Sequence, residues 1–189
     1  MPAESEATQR PVAEGPMEVV IRPFQPEDMD PLYFLDQRCA PPGERLAYAR
    51  LLTALLERDV LAVVAAEEME ARPQPLLGSL IVRAEPARGA LNLLVLMVDP
   101  PYRRLGIARR LMGWAARLGQ SQGLREVAAI EEGEHFETAA FLEALGFRRT
   151  EEVAPGFRLP EPRPRWTMAL EETGPAPEAA EGDDGGEPS

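Results

Sequence analysis

Between Ala90 and Gly119 the chain changes periodicity across one short connection, and this confines it to layered α/β architectures. Ala90 to Val98 is an apolar run that reads as a strand, whereas Ile107, Leu111, Trp114, Ala115 and Leu118 recur at spacings of three and four over a helix from about Gly106 to Gly119. That stripe faces a sheet, and other segments supply its strands. Further strands are expected at Met17 to Phe24, Leu61 to Ala66, Leu76 to Ala84, Arg125 to Ile130, Phe147 to Val153 and Arg165 to Leu170. Pro26, Glu27 and Asp28 open a helix with Leu32, Phe34 and Leu35 to bury. A second helix, about Glu44 to Arg58, carries a stripe of Leu51, Leu52, Leu55 and Leu56, and a short helix is expected over Phe136 to Leu145. No internal repeat is visible, and the pattern predicts a mixed α/β sheet with helices on its faces.

Composition narrows the chemistry. All 20 basic residues are arginine, so mechanisms that need a lysine amine are excluded, among them the P-loop lysine, Schiff bases and serine-lysine dyads. With His135 as the one histidine and Cys39 as the one cysteine, structural zinc, an internal disulfide and a CxxC pair are also disfavoured. No metal site is expected. A catalytic triad would have to run through His135, which has no GxSxG elbow beside it. No apolar run approaches the roughly 20 residues that span a bilayer, and the N-terminus lacks the pattern of a signal peptide. A soluble, cytoplasmic protein is therefore expected, with no membrane partner.

The net charge of -12 is unevenly placed. Residues 1–16 hold Glu4, Glu6 and Glu14 against Arg10, and residues 171–189 hold five Glu and two Asp with no base. Both tails have the Pro, Ala, Gly and Glu composition of disorder, which leaves 17–170 as the expected folded domain. Within that domain Arg103, Arg104, Arg109, Arg110, Arg117 and Arg125 follow Asp99 with no acid before Glu126. Glu131, Glu132, Glu134 and Glu137 then follow closely. A site for an anion beside a site for a cation is the expectation, and the small size of the basic stretch disfavours nucleic acid.

The segment from Val98 to Arg109 leaves a strand and enters a helix, so free backbone N–H groups and the positive end of the helix dipole converge with arginines around them. Gly106 and Ala108 would let a phosphate approach the backbone. On spacing alone, an ordinary connection with solvated arginines fits equally well.

Arg103-Arg104-Leu105-Gly106-Ile107-Ala108, preceded by Val98, Pro100 and Tyr102, resembles the pyrophosphate-binding motif of the GNAT acyltransferase superfamily. Ala139 to Phe147 resembles a second signature of that family, and Val20 to Phe24 followed by Pro26-Glu27-Asp28 resembles its first strand and helix start. The resemblance covers about residues 17 to 170 and implies a GNAT-type, mostly antiparallel central sheet of six to seven strands flanked by about four helices. It further implies an acetyl-CoA-dependent N-acetyltransferase acting on a primary amine of a small molecule or peptide. A monomer or a homodimer fits the sequence equally. Leu96, Met97 and Val98 would face the pantetheine arm. Arg103, Arg104, Leu105, Gly106, Ile107 and Ala108 would offer amides to the pyrophosphate, and Arg103, Arg104 or Arg109 a charge.

Two positions depart from the family pattern. Leu142 stands where many members carry a tyrosine that protonates the departing thiolate, and His135 stands where many carry an asparagine. His135 is a candidate acid because its unperturbed pKa is about 6.5. Glu132, with Glu131 as the alternative, is the candidate base that deprotonates an incoming ammonium. Tyr33 and Tyr48 either line an acceptor pocket or sit at the core edge. Trp114 and Trp166 are read as packing residues and Cys39 as a small buried or semi-buried thiol at a helix end. Leu142 keeps a non-catalytic acyl-CoA binder open as an alternative, and the acidic tails keep open an interaction protein.

Overall fold

The computed structural model describes residues 18–40, 47–68, 74–130, 136–153 and 163–170. In chain order these form β1 (Val19–Pro23), α1 (Met29–Cys39), α2 (Tyr48–Leu55), β2 (Val60–Glu67), β3 (Leu76–Glu85) and β4 (Ala90–Val98). Then come α3 (Ile107–Ser121), β5 (Glu126–Ile130), α4 (Phe136–Ala144), β6 (Arg148–Val153) and β7 (Arg163–Ala169). The strands make one seven-stranded sheet in the order β1-β2-β3-β4-β5-β7-β6. β1 with β2, β5 with β7 and β6 with β7 are antiparallel, while β4 and β5 run parallel. A mixed sheet with four helices is the architecture expected from the sequence. The two tails lie outside the described residues.

Two compact units divide the chain, one comprising Met1–Val82 with Leu94–Trp114 and the other Arg83–Leu93 with Ala115–Ser189. In the first, Met29, Leu32, Leu35, Leu51, Val64, Leu76, Ile81 and Met97 belong to one buried cluster. The turn from β1 into α1 is held by charge as well as by packing. Arg22 Nη1 and Nη2 donate to the two Asp28 oxygens at 2.6 and 2.8 Å, and the Gln25 amide donates to Asp28 Oδ2 at 2.8 Å. The bonds to Asp28 raise the Arg22 pKa, against the opposing effect of burial, so its charge is permanent.

Two expectations about the helices need correction. Leu32 and Leu35 are fully buried, but Phe34 is 58% exposed. It lies about 200° around the helix from Leu32, off the buried face, and its ring instead meets Tyr33 with centroids 5.8 Å apart. The leucine stripe of α2 also divides: Leu51 is buried and Leu55 partly so, whereas Leu52 and Leu56 are exposed. α2 spans only Tyr48–Leu55, with Ala47 already extended; the proposed start at residues 44–46 lies outside the described residues.

In the second unit, Val127, Ala128 and Ala129 of β5 and Trp166 of β7 are buried, and Glu126 Oε1 accepts from Arg165 Nη2 at 2.6 Å. Leu142 and Phe147 are buried around the turn at Gly146, whose φ of +94° lets the Phe147 amide reach back to the Leu142 carbonyl at 3.0 Å. Among the described residues no helix is long and apolar enough to cross a membrane, and no cluster of His, Cys, Asp and Glu could hold a metal ion.

Candidate functional site

The site is built at the end of β4. The parallel ladder to β5 is described from Ala90↔Glu126 to Leu93↔Ala129. Farther along, the Asp99 amide donates to the Leu77 carbonyl at 2.9 Å and anchors the strand's exit to β3. Pro100 and Pro101 favour the 3-10 turn Pro100–Tyr102, closed by Tyr102 N to Asp99 O at 2.8 Å and Arg103 N to Pro100 O at 3.3 Å.

Two left-handed residues follow. Arg104 has φ +65°, alone among the described non-glycine residues in this region of backbone space, and Gly106 has φ +79°. A non-glycine residue in that conformation costs roughly 1–2 kcal/mol, so it is held there by its surroundings. Ile107 and Leu111, 2% and 0% exposed, pin the start of α3 against the core. The first helical bond runs from Arg110 N to Gly106 O at 3.1 Å, so the amides of Ile107, Ala108 and Arg109 have no helical acceptor. Nothing lies within 4 Å of where a Gly106 Cβ would sit. Amides without a helical acceptor, an open approach at Gly106 and a helix N-terminus fit a phosphate or pyrophosphate group.

The arginines divide in their use. Arg103 Nε donates to the Val98 carbonyl at 3.2 Å, and Arg110 Nη2 donates to the Val19 carbonyl at 2.6 Å. Arg104 and Arg109 are exposed and bond to no described residue, which leaves their guanidinium groups available. Leu105 is exposed between them. Of the residues assigned to the pantetheine arm, Leu96 and Val98 are half-buried and Met97 is buried. The Val98 carbonyl is already an acceptor, taking Cys39 Sγ at 3.5 Å besides Arg103. Glu131, Glu132 and His135 lie outside the described residues, as do Glu134 and the side chain of Glu137.

One pair at this site was missed by sequence reasoning. Asp99 is buried, and Arg38 at the end of α1 grips it side-on: Nε lies 3.2 and 3.1 Å from the two oxygens and Nη2 lies 2.8 Å from Oδ2. Sixty-one positions separate the partners, and no local pattern joins them.

Cys39 sits where it was expected, at the last position of α1 and partly buried. Burial, and then the Asp99 carboxylate, push its thiol up, outweighing Arg103 and Arg38. The group is therefore a neutral thiol near pH 7, unsuited to act as a nucleophile. Alkylation by iodoacetamide at pH 7 is expected to be several-fold slower than in the urea-unfolded chain and to accelerate only at clearly alkaline pH. A native rate equal to the unfolded one would contradict this.

Residues 22–147 match the model of the Acetyltransferase (GNAT) family. No curated relative matches the chain in sequence. Among solved structures, an N-acetyltransferase of a ribosomal-protein alanine from Escherichia coli is similar, with 15% identity, a TM-score of 0.62, and coverage of 81% of this chain and 94% of that one. An N-acetyltransferase from Thermoplasma acidophilum in complex with coenzyme A gives 16% identity and a TM-score of 0.63, covering 81% and 99%. A GNAT-family acetyltransferase from Staphylococcus aureus gives 13% and 0.62, covering 82% and 100%. At these identities the structures establish likeness of fold, and the strand–loop–helix at 98–109 lies within the matched segment: the chain belongs to the GNAT acetyltransferase family.

Proposed function

We propose that this protein transfers an acetyl group from acetyl-CoA directly to a primary amine of a small molecule or peptide. The observation that carries the proposal is the anion cradle itself: left-handed Arg104 and Gly106, the unbonded amides opening α3, and the available guanidinium groups of Arg104 and Arg109. The Escherichia coli neighbour acts on an alanine amine of a protein and the Thermoplasma one holds coenzyme A, which supports both halves of the reading.

The roles follow from the chemistry. Amides of residues 103–108 hold the pyrophosphate, with Arg103, Arg104 or Arg109 adding charge. The backbone at Leu96, Met97 and Val98 runs beside the pantetheine arm and orients the acyl group. Acetyl-CoA supplies an activated thioester, so the protein need only bring a neutral amine to it. Glu132 is the proposed base that strips the ammonium proton, with Glu131 the alternative, and His135 is the proposed acid. The neutral Cys39 thiol agrees with transfer that forms no acyl-enzyme.

Leu142 favours a second reading, a non-catalytic acyl-CoA binder. It is aliphatic and buried, and donates no proton. Calorimetric titration with acetyl-CoA, followed by an assay of thiol release over a panel of primary amines, separates the two. One site per chain is expected, with a KM for acetyl-CoA in the usual enzyme range of roughly 1 μM to 1 mM and release that depends on the amine. Binding without release from any amine leaves the binder; absence of binding removes both readings.

A further inference from the structure

A buried carboxylate stands at the mouth of the arginine-rich loop. Asp99 is 8% exposed, stands five residues before Arg104, and is the one acid in the stretch that leads to the arginine-rich helix. Left alone it would repel an anion and would be costly to bury. Its partner comes from another element. Arg38 presents Nε and Nη2 to the two carboxylate oxygens at 2.8 to 3.2 Å, a planar fork that lysine cannot reproduce. The next residue, Cys39, donates to the Val98 carbonyl, so the last turn of α1 holds the strand's exit at two adjacent points. Asp99 in turn closes the 3-10 turn with its own carbonyl and holds β3 with its amide.

We propose that Arg38 is a positioning residue for the anion loop: it fixes the loop's first residue through Asp99 and cancels the carboxylate's charge beside the phosphate site. The proposal rests on the acyl-CoA reading. It makes α1 part of the machinery that prepares the loop, although Arg38 itself contacts no phosphate. The Arg38 side chain is 47% exposed and that of Asp99 11%, so removing Arg38 alone leaves a mostly buried carboxylate unpaired, whereas removing both charges does not.

The test is a double-variant cycle read by binding. Arg38→Met is expected to weaken coenzyme A binding about tenfold or more by calorimetry, and Arg38→Met with Asp99→Asn to recover to within about threefold of the wild type. Rescue by removing the opposite charge would trace the loss to the unpaired Asp99 carboxylate rather than to the missing Arg38 side chain, and a loss of coenzyme A affinity larger than any loss in thermal stability is what a merely structural role would not show. Inorganic pyrophosphate serves as a second probe and is expected to follow the same order. If Arg38→Met binds as well as the wild type, or the double variant no better than Arg38→Met, the proposal is overturned. Should Arg38→Met fail to fold, the comparison moves to the Asp99→Asn background, where adding Arg38→Met is expected to change affinity less than threefold and a further tenfold loss overturns the idea. Amide hydrogen exchange over residues 99–106 in the ligand-free protein is expected to quicken in the Arg38 variant, or in Asp99→Asn where the former does not fold. This readout needs no ligand. A wild type that fails to bind coenzyme A would refute the functional reading, whereas unchanged exchange would refute the clamp.

Discussion

Replacing Gly106 with glutamate is expected to cost at least a hundredfold in acetyl-CoA affinity while leaving the fold largely intact. The two effects separate because of where Gly106 stands. Its φ of +79° charges any L-residue a backbone cost of about 1–2 kcal/mol. No atom within 4 Å obstructs a Cβ, so no packing cost is added. In a chain of this length a loss of that size lowers Tm by only a few degrees. Binding is affected differently, because the new carboxylate would stand in the space that an anion must enter. Two like charges about 4 Å apart at an effective dielectric near 20 repel by about 4 kcal/mol, which exceeds the roughly 2.7 kcal/mol of a hundredfold loss. Gly106→Asn is the informative control. Asparagine tolerates the left-handed conformation and carries no charge, so a smaller loss is expected from bulk alone. Calorimetry and thermal unfolding on both variants check the argument. Undiminished acetyl-CoA binding by Gly106→Glu would remove the cradle from the function.

The parts of this site that were legible in the sequence are those whose physics is local. Ile107, Leu111 and Ala115 repeat at helical spacing because one face of α3 is buried, and all three are indeed inaccessible. Gly106 announces itself because a positive φ at a strand-to-helix turn suits glycine. Arg104 adopts the same region with a side chain that gives no such notice, and its conformation becomes visible only in three dimensions. The Arg38–Asp99 pair was illegible for a different reason. Its two members lie on different elements, and each alone looks like a surface charge. Phe34 was misplaced because counting apolar residues in a helix start ignores angle; Leu32 and Leu35 already fill the buried face. α2 was overextended for a similar reason, its leucines being more numerous than the core can take.

A second glycine sets the position of α3, and its replacement should have the largest effect on stability. A Cβ at Gly78 would lie 3.0 Å from the Met97 carbonyl oxygen, 3.1 Å from Ile107 Cγ2 and 3.3 Å from Leu111 Cδ1. Two of these neighbours are the residues that pin the first turns of α3, and the third is the backbone of β4, which cannot yield without moving the strand that leads into the loop. Gly78→Ala is therefore expected to destabilise by about 1–3 kcal/mol, and Gly78→Val, with two further methyl groups in the same gap, by about 3 kcal/mol or more. At about 2–4 °C per kcal/mol for a chain of this size, the valine variant should lose roughly 6–12 °C in Tm. Gly119 supplies the contrast: its added Cβ would meet Leu170 Cδ1, the far end of a flexible side chain that can rotate aside, so Gly119→Ala should cost about 1 kcal/mol or less. The same displacement that strains Gly78→Val would shift Ile107, and with it the amides that open the helix. Weakened acetyl-CoA binding should therefore accompany the lost stability in Gly78→Val but not in Gly119→Ala, and equal thermal losses in the two would show that α3 is not seated through Gly78.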